Sequence, residues 1–123
     1  MAPSPVQLTS TVPVMPVTDI ADAIDFYRDR LGFTVAFQAG DYVGVVRDRA
    51  MVHIDGVINA GAGTVTCRIE TERVHELFTE LDAQDVVDPA EPIHDMPWGS
   101  RQFSVLDCCG NRLTFVRSAD PEE

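Results

Sequence analysis

Apolar residues fall along this chain in a succession that occurs twice. A short apolar segment leads into a stretch of helical period, and segments of alternating period follow. The first pass runs from Val12-Pro13-Val14-Met15-Pro16-Val17 into Asp19 to Leu31, where Ile20, Ala23, Ile24, Tyr27 and Leu31 recur at helical spacing. Asp19 supplies an N-cap and Gly32 a C-terminal stop. The second pass runs from 64–69 into Glu72 to Leu81, capped by Thr71, with Val74, Leu77, Phe78 and Leu81 on one face. Strands are predicted at 33–38, 42–47, 50–55, 101–106 and 112–117, where apolar, β-branched and aromatic residues cluster. Gly40-Asp41 and Asp107-Cys108-Cys109-Gly110-Asn111 supply turn chemistry. The stretch from Asp88 to Pro97, broken by Pro89, Pro92 and Pro97, is expected as a loop, and the acidic tail from Ser118 is expected to fray. The predicted fold class is α+β: a single domain over 1–123 built from two βαβββ modules, about 12–57 and 64–117, whose mixed sheets curve around a cleft.

Alternation assigns faces to these strands. Val65, Cys67 and Ile69 oppose Thr64, Thr66 and Arg68; Leu113 and Phe115 oppose Arg112 and Thr114; Phe103 and Val105 oppose Gln102 and Ser104; Val52 and Ile54 oppose Met51, His53 and Asp55. The apolar sides suit packing under the helices. The opposite sides are mostly polar, carry few charges, and on this reading hold no lysine or glutamate, which suits a wet binding cavity better than an outer surface.

Composition narrows the function. At 123 residues with 45% hydrophobic residues, the chain is long enough for one core. Its net charge of −11 argues against nucleic acid and anionic membranes as partners; it fits a cationic ligand, and it fits still better a role that does no more than keep the protein soluble. No apolar run approaches the roughly 20 residues of a membrane span, and Met1 to Ser10 lacks the basic and apolar regions of a signal peptide. Three cysteines, two of them adjacent, suit a reducing cytoplasm. No serine or cysteine sits in a recognisable nucleophile motif beside a histidine.

The paired modules, the opening Val14-Met15-Pro16-Val17-Thr18-Asp19, the segment Phe26-Tyr27-Arg28-Asp29-Arg30-Leu31-Gly32-Phe33 and the closing Asp107 to Phe115 resemble the vicinal oxygen chelate superfamily. That group holds glyoxalase I, extradiol dioxygenases and bleomycin-resistance proteins. Gly44-Val45-Val46-Arg47-Asp48 and Pro97-Trp98-Gly99-Ser100-Arg101-Gln102-Phe103 bring the resemblance closest to the bleomycin-resistance proteins. Enzymes of the superfamily bind a divalent ion at positions that fall here on Val12, His53, Thr64 and Thr114. Of these only His53 is a good ligand, so neither a metal nor another cofactor is expected.

The resemblance further implies that two aromatic rings sandwich the flat bithiazole of the drug, at positions matching Tyr42 and Trp98. It also implies a homodimer that completes the cleft across two subunits, often with exchange of N-terminal segments. Thr66 and Arg68 stand where those proteins tend to carry tryptophans, and the connection from Gly56 to Gly63 is shorter. An arginine at 68 would favour a carboxylate or phosphate over a cationic drug. The expected ligand-binding residues are Tyr42, His53, Asp55, Thr66, Arg68, Trp98, Gln102, Ser104 and Thr114, with no catalytic and no metal-ligating residue. The expected function is metal-free sequestration of a bleomycin-type antibiotic or similar aromatic ligand in the cytoplasm. Alternatives are a lyase or isomerase using His53 with Asp55 or an atypical metal site, and a sensor or scaffold domain.

Overall fold

A computed structural model describes residues 5–56 and 64–119. The Gly61-Ala62-Gly63 connection, residues 1–4 and the last four residues of the acidic tail lie outside the described residues. Among these residues, eight strands and two α-helices follow in the order β1 (Val14–Pro16), α1 (Ile20–Asp25), β2 (Thr34–Ala39), β3 (Tyr42–Arg47), β4 (Ala50–Asp55), β5 (Thr66–Glu70), α2 (Val74–Asp82), β6 (His94–Asp95), β7 (Arg101–Leu106) and β8 (Arg112–Arg117). They form two four-stranded sheets ordered β1-β4-β3-β2 and β5-β8-β7-β6. In each, the strand before the helix runs parallel to the last strand of its module and the remaining neighbours run antiparallel. The repeated pattern therefore becomes a repeated topology, the α+β fold expected from the sequence.

The alternation places the core. Met15, Val17, Val43, Val45, Val52 and Ile54 from one sheet, and Cys67, Phe103, Val105, Leu113 and Phe115 from the other, join Ala23, Tyr27, Val74 and Leu81 in one buried cluster.

Boundaries differ from the sequence expectation where backbone donors are missing or diverted. The first strand keeps only three residues, because Pro13 and Pro16 lack an N–H; Pro13 still accepts from the His53 N–H at 2.9 Å. The first helix is α-helical only to Asp25 and continues as a π-helical turn over Phe26–Arg30, closed by Leu31 N–H donating to Phe26 O at 3.3 Å. Asp19 caps it as expected, accepting from Asp22 N–H at 3.1 Å. The second helix starts at Val74 rather than Glu72; Thr71 Oγ1 accepts from the Arg73 N–H at 3.3 Å, ahead of the first helical turn. A two-residue strand, β6, lies inside the segment expected as loop, pinned to β7 where Arg101 grips Asp95 at 2.6 and 3.2 Å. Finally, β5 extends to Glu70, which puts a glutamate on the face expected to have none.

One buried polar hub ties the modules together. Tyr27 donates its hydroxyl to Asp107 Oδ2 at 2.8 Å. Asp107 Oδ1 accepts from the backbone N–H of Cys109 and Asn111 at 2.8 and 2.9 Å. Asn111 donates through Nδ2 to Asp107 and to Pro16 O, and accepts from Val65 N–H, each at 2.9 Å. Burial above all, then the Asp107 carboxylate, holds the Tyr27 phenol protonated far above its ordinary range. Burial, again with Asp107, pushes the Cys67 thiol up to about 11. Both groups are neutral when protonated, so a raised folded pKa favours the fold fully below the unfolded values of roughly 8.5 for Cys and 10 for Tyr. That contribution is lost as pH rises past them. Urea midpoints are therefore expected to hold to about pH 8 and fall from about pH 9 to 11, with a shallower fall in Tyr27→Phe. Identical alkaline slopes in the two proteins would rule out this role for Tyr27.

Candidate functional site

The sheet faces turned away from the helices carry the residues singled out above, divided between the two sheets. On the first, Tyr42 stands opposite Asp55 across β3 and β4, and Gly44 stands opposite His53. The Tyr42 hydroxyl and His53 Nδ1 share a hydrogen bond at 2.8 Å, with the rings edge to face at 5.3 Å between centroids. Phe37, on β2, completes the group: it lies nearly parallel to Tyr42 at 6.4 Å and edge-on to His53 at 5.2 Å. Such ring pairs are worth about 0.5–1.5 kcal/mol beyond burial. Phe37 is still 38% exposed, so the group is a platform and not part of the core.

Sequence reasoning missed Phe37. The available signal was Gly44 inside a strand, since a missing side chain there marks a close approach. A Cβ on Gly44 would stand 2.4 to 2.8 Å from three atoms of the Phe37 ring. Because that ring is the exposed end of a side chain, Gly44→Ala is expected to tilt it away at little cost. Its melting temperature should stay within about 5 °C of the parent, while the near-ultraviolet dichroism of the Phe37–Tyr42 group changes. An unchanged spectrum would mean the ring does not rest on Gly44.

On the second sheet, Arg68, Thr114 and Ser104 stand in register across β5, β8 and β7. Ser104 and Thr114 are buried and share a hydrogen bond at 3.0 Å. Gln102 is buried two residues along β7 from Ser104, whereas Thr66 and Arg68 are exposed. Trp98 sits apart, on the turn between β6 and β7 that Gly99 N–H closes onto Met96 O at 2.9 Å. Its 62% exposure disposes of a packing role against the core. The structure thus brings Tyr42, His53 and Asp55 together on one sheet, and Thr66, Arg68, Gln102, Ser104 and Thr114 on the other. A cavity of about 640 Å³ lies elsewhere, between α2 and the β3–β4 turn, and takes in none of the expected residues.

The donor set does not suit the divalent ion of the superfamily's enzymes. Val12 offers no ligand atom, His53 is engaged by Tyr42, and Thr114 is engaged by Ser104. Thr64 precedes β5 and would add only a neutral hydroxyl. No cluster of three or more His, Cys, Asp or Glu side chains able to hold a metal occurs among the described residues. Of the turn cysteines, Cys109 is engaged: its Sγ accepts from the Thr18 N–H at 3.4 Å, whereas Cys108 is exposed.

The family model of the Glyoxalase/Bleomycin resistance protein/Dioxygenase superfamily matches residues 8–115. The chain belongs to that superfamily. Within it, the chain is 28% identical over 128 residues to a bleomycin resistance protein of Geobacillus stearothermophilus, a match covering 89% of this chain and 97% of that one. Its fold matches the bleomycin-binding protein of bleomycin-producing Streptomyces verticillus, solved with copper(II)-bleomycin, at a TM-score of 0.79 and 28% identity over 92% of this chain and 98% of that one. It also matches a lactoylglutathione lyase of Agrobacterium tumefaciens at a TM-score of 0.74 over 92% of this chain and 96% of that one. That match, at 20% identity, is one of fold alone. No described helix is long and apolar enough to cross a membrane.

Proposed function

We propose that this superfamily member is a metal-free binding protein that sequesters a bleomycin-type antibiotic or a similar aromatic small molecule. One observation carries the reading: two ring surfaces stand outside the core, Tyr42 with Phe37 on the first sheet and Trp98 on the β6–β7 turn, in a chain 28% identical to a protein solved with copper(II)-bleomycin. Offset rings of this kind suit a flat heteroaromatic unit lying between them. Sequestration requires no bond making. It protects by lowering the free concentration of the ligand, so a wall of rings, hydroxyls and amides is sufficient.

The rings lie on different sheets of one chain, which suits a homodimer in which the first sheet of one subunit faces the second sheet of its partner. A twofold axis would then create two equal clefts. Asp41 and Asp55 would attract a positively charged tail, whereas Asp95 is already held by Arg101. Trp98 is the sole tryptophan, so its emission reports directly on the cleft. Titration with bleomycin is expected to quench it saturably at micromolar protein, with one drug bound per cleft. A flat titration would refute the drug assignment.

A further inference from the structure

The face of the second sheet turned away from α2 holds more polar capacity than the described residues use. Between Ser104 and Thr114, one hydroxyl hydrogen makes their shared bond and the other is free to donate. Gln102, only 9% exposed, has no hydrogen-bond partner for Oε1. On the opposite flank Arg112 lies 3.0 Å from Asp88, yet its buried Nη1 makes no in-line hydrogen bond. Arg68, at the end of the Ser104–Thr114 row, has no ion pair or hydrogen bond among the described residues. The neighbouring carboxylate on that face, Glu70, is taken by the Ser118 hydroxyl. Buried polar atoms nearly always find partners. Arg112 is thus met by a carboxylate, whereas an unmet acceptor, a spare hydroxyl and an unpaired Arg68 on one face point to a ligand that supplies what is missing.

We propose that this face is an oxyanion subsite, and that the aromatic ligand carries a carboxylate-type group. The Arg68 guanidinium pairs with that group through two parallel N–H donors, a geometry that a carboxylate matches and a lone carbonyl does not. The spare hydroxyl of the Ser104–Thr114 pair donates to the same group, and Gln102 Oε1 accepts an N–H or O–H from the adjoining part of the ligand. The subsite rests on the aromatic-ligand reading and sharpens it, because a cationic drug would meet Arg68 as a like charge.

A matched pair of probes separates the two ideas: a bithiazole carboxylate and its neutral carboxamide, which share the ring and differ in charge. The full-length protein is expected to bind the carboxylate about tenfold more tightly by calorimetry. Arg68→Gln should weaken the carboxylate far more than the carboxamide, bringing the two affinities to within about twofold, and should tighten bleomycin binding. Arg68 is exposed, so the variant is expected to melt with the parent. Equal affinities in the parent protein, or a preference that survives Arg68→Gln, overturn the subsite and leave the aromatic reading intact. Failure of both probes to bind overturns the two together.

Discussion

Asp107→Ala is expected to lower the unfolding free energy by about 3–5 kcal/mol, read from urea titrations at neutral pH. The size follows from what the carboxylate satisfies. It accepts from the Tyr27 hydroxyl, the Asn111 side-chain amide and the backbone N–H groups of Cys109 and Asn111. Tyr27 and Asn111 are fully buried, so water cannot replace the lost acceptor. Each donor left without a partner costs about 1–3 kcal/mol, and neighbours in one network do not lose their bonds independently. Tyr27→Phe removes one donor and leaves the other three in place, so it should cost about 1 kcal/mol. A loss below about 1 kcal/mol in Asp107→Ala would show that the turn reorganises and that the hub does not hold the modules together.

The second large effect is on binding. Trp98→Ala is expected to weaken bleomycin by about thirtyfold, corresponding to about 2 kcal/mol, with the melting temperature unchanged. Trp98 leaves most of its ring in solvent, and its turn is held by Met96, Gly99 and the Asp95–Arg101 pair, not by the indole. Calorimetry is the appropriate readout, since the variant loses the only fluorophore of its kind. An unchanged Kd would remove Trp98 from the site. A collapsed fold would assign the indole a packing role despite its exposure.

The fold was legible because its signals are local. Alternation in 101–106 and 112–117 separated Phe103, Val105, Leu113 and Phe115 from the polar side, and Asp19 and Gly32 marked the ends of the first helical stretch. The errors lie where tertiary contacts override local preference. The π-helical turn at Phe26–Arg30 leaves no periodic trace, although Tyr27 within it reaches Asp107 eighty residues along the chain. The β6 strand forms between prolines because an Asp95–Arg101 pair and a tight turn secure it at an edge. The site was legible by face but not by depth. Period two put Thr66, Arg68, Ser104, Gln102 and Thr114 on one side, yet could not tell that Ser104, Gln102 and Thr114 are occluded while Thr66 and Arg68 are open. Phe37 escaped because a register shift between Val35 and Phe37 breaks the alternation on β2.

Identical strand order in the two sheets invites the thought that either half could stand in for the other. The hub forbids it. The first half supplies the phenol and the Pro16 carbonyl, and the second supplies the Asp107 carboxylate that accepts from the phenol and the Asn111 carboxamide that donates to the carbonyl. Two copies of the first half would lack the Asp107 carboxylate that accepts from the phenol, and two copies of the second would bury that anion without its phenol donor. The repeat has become a lock and its key, so the halves have lost interchangeability while keeping their shared outline.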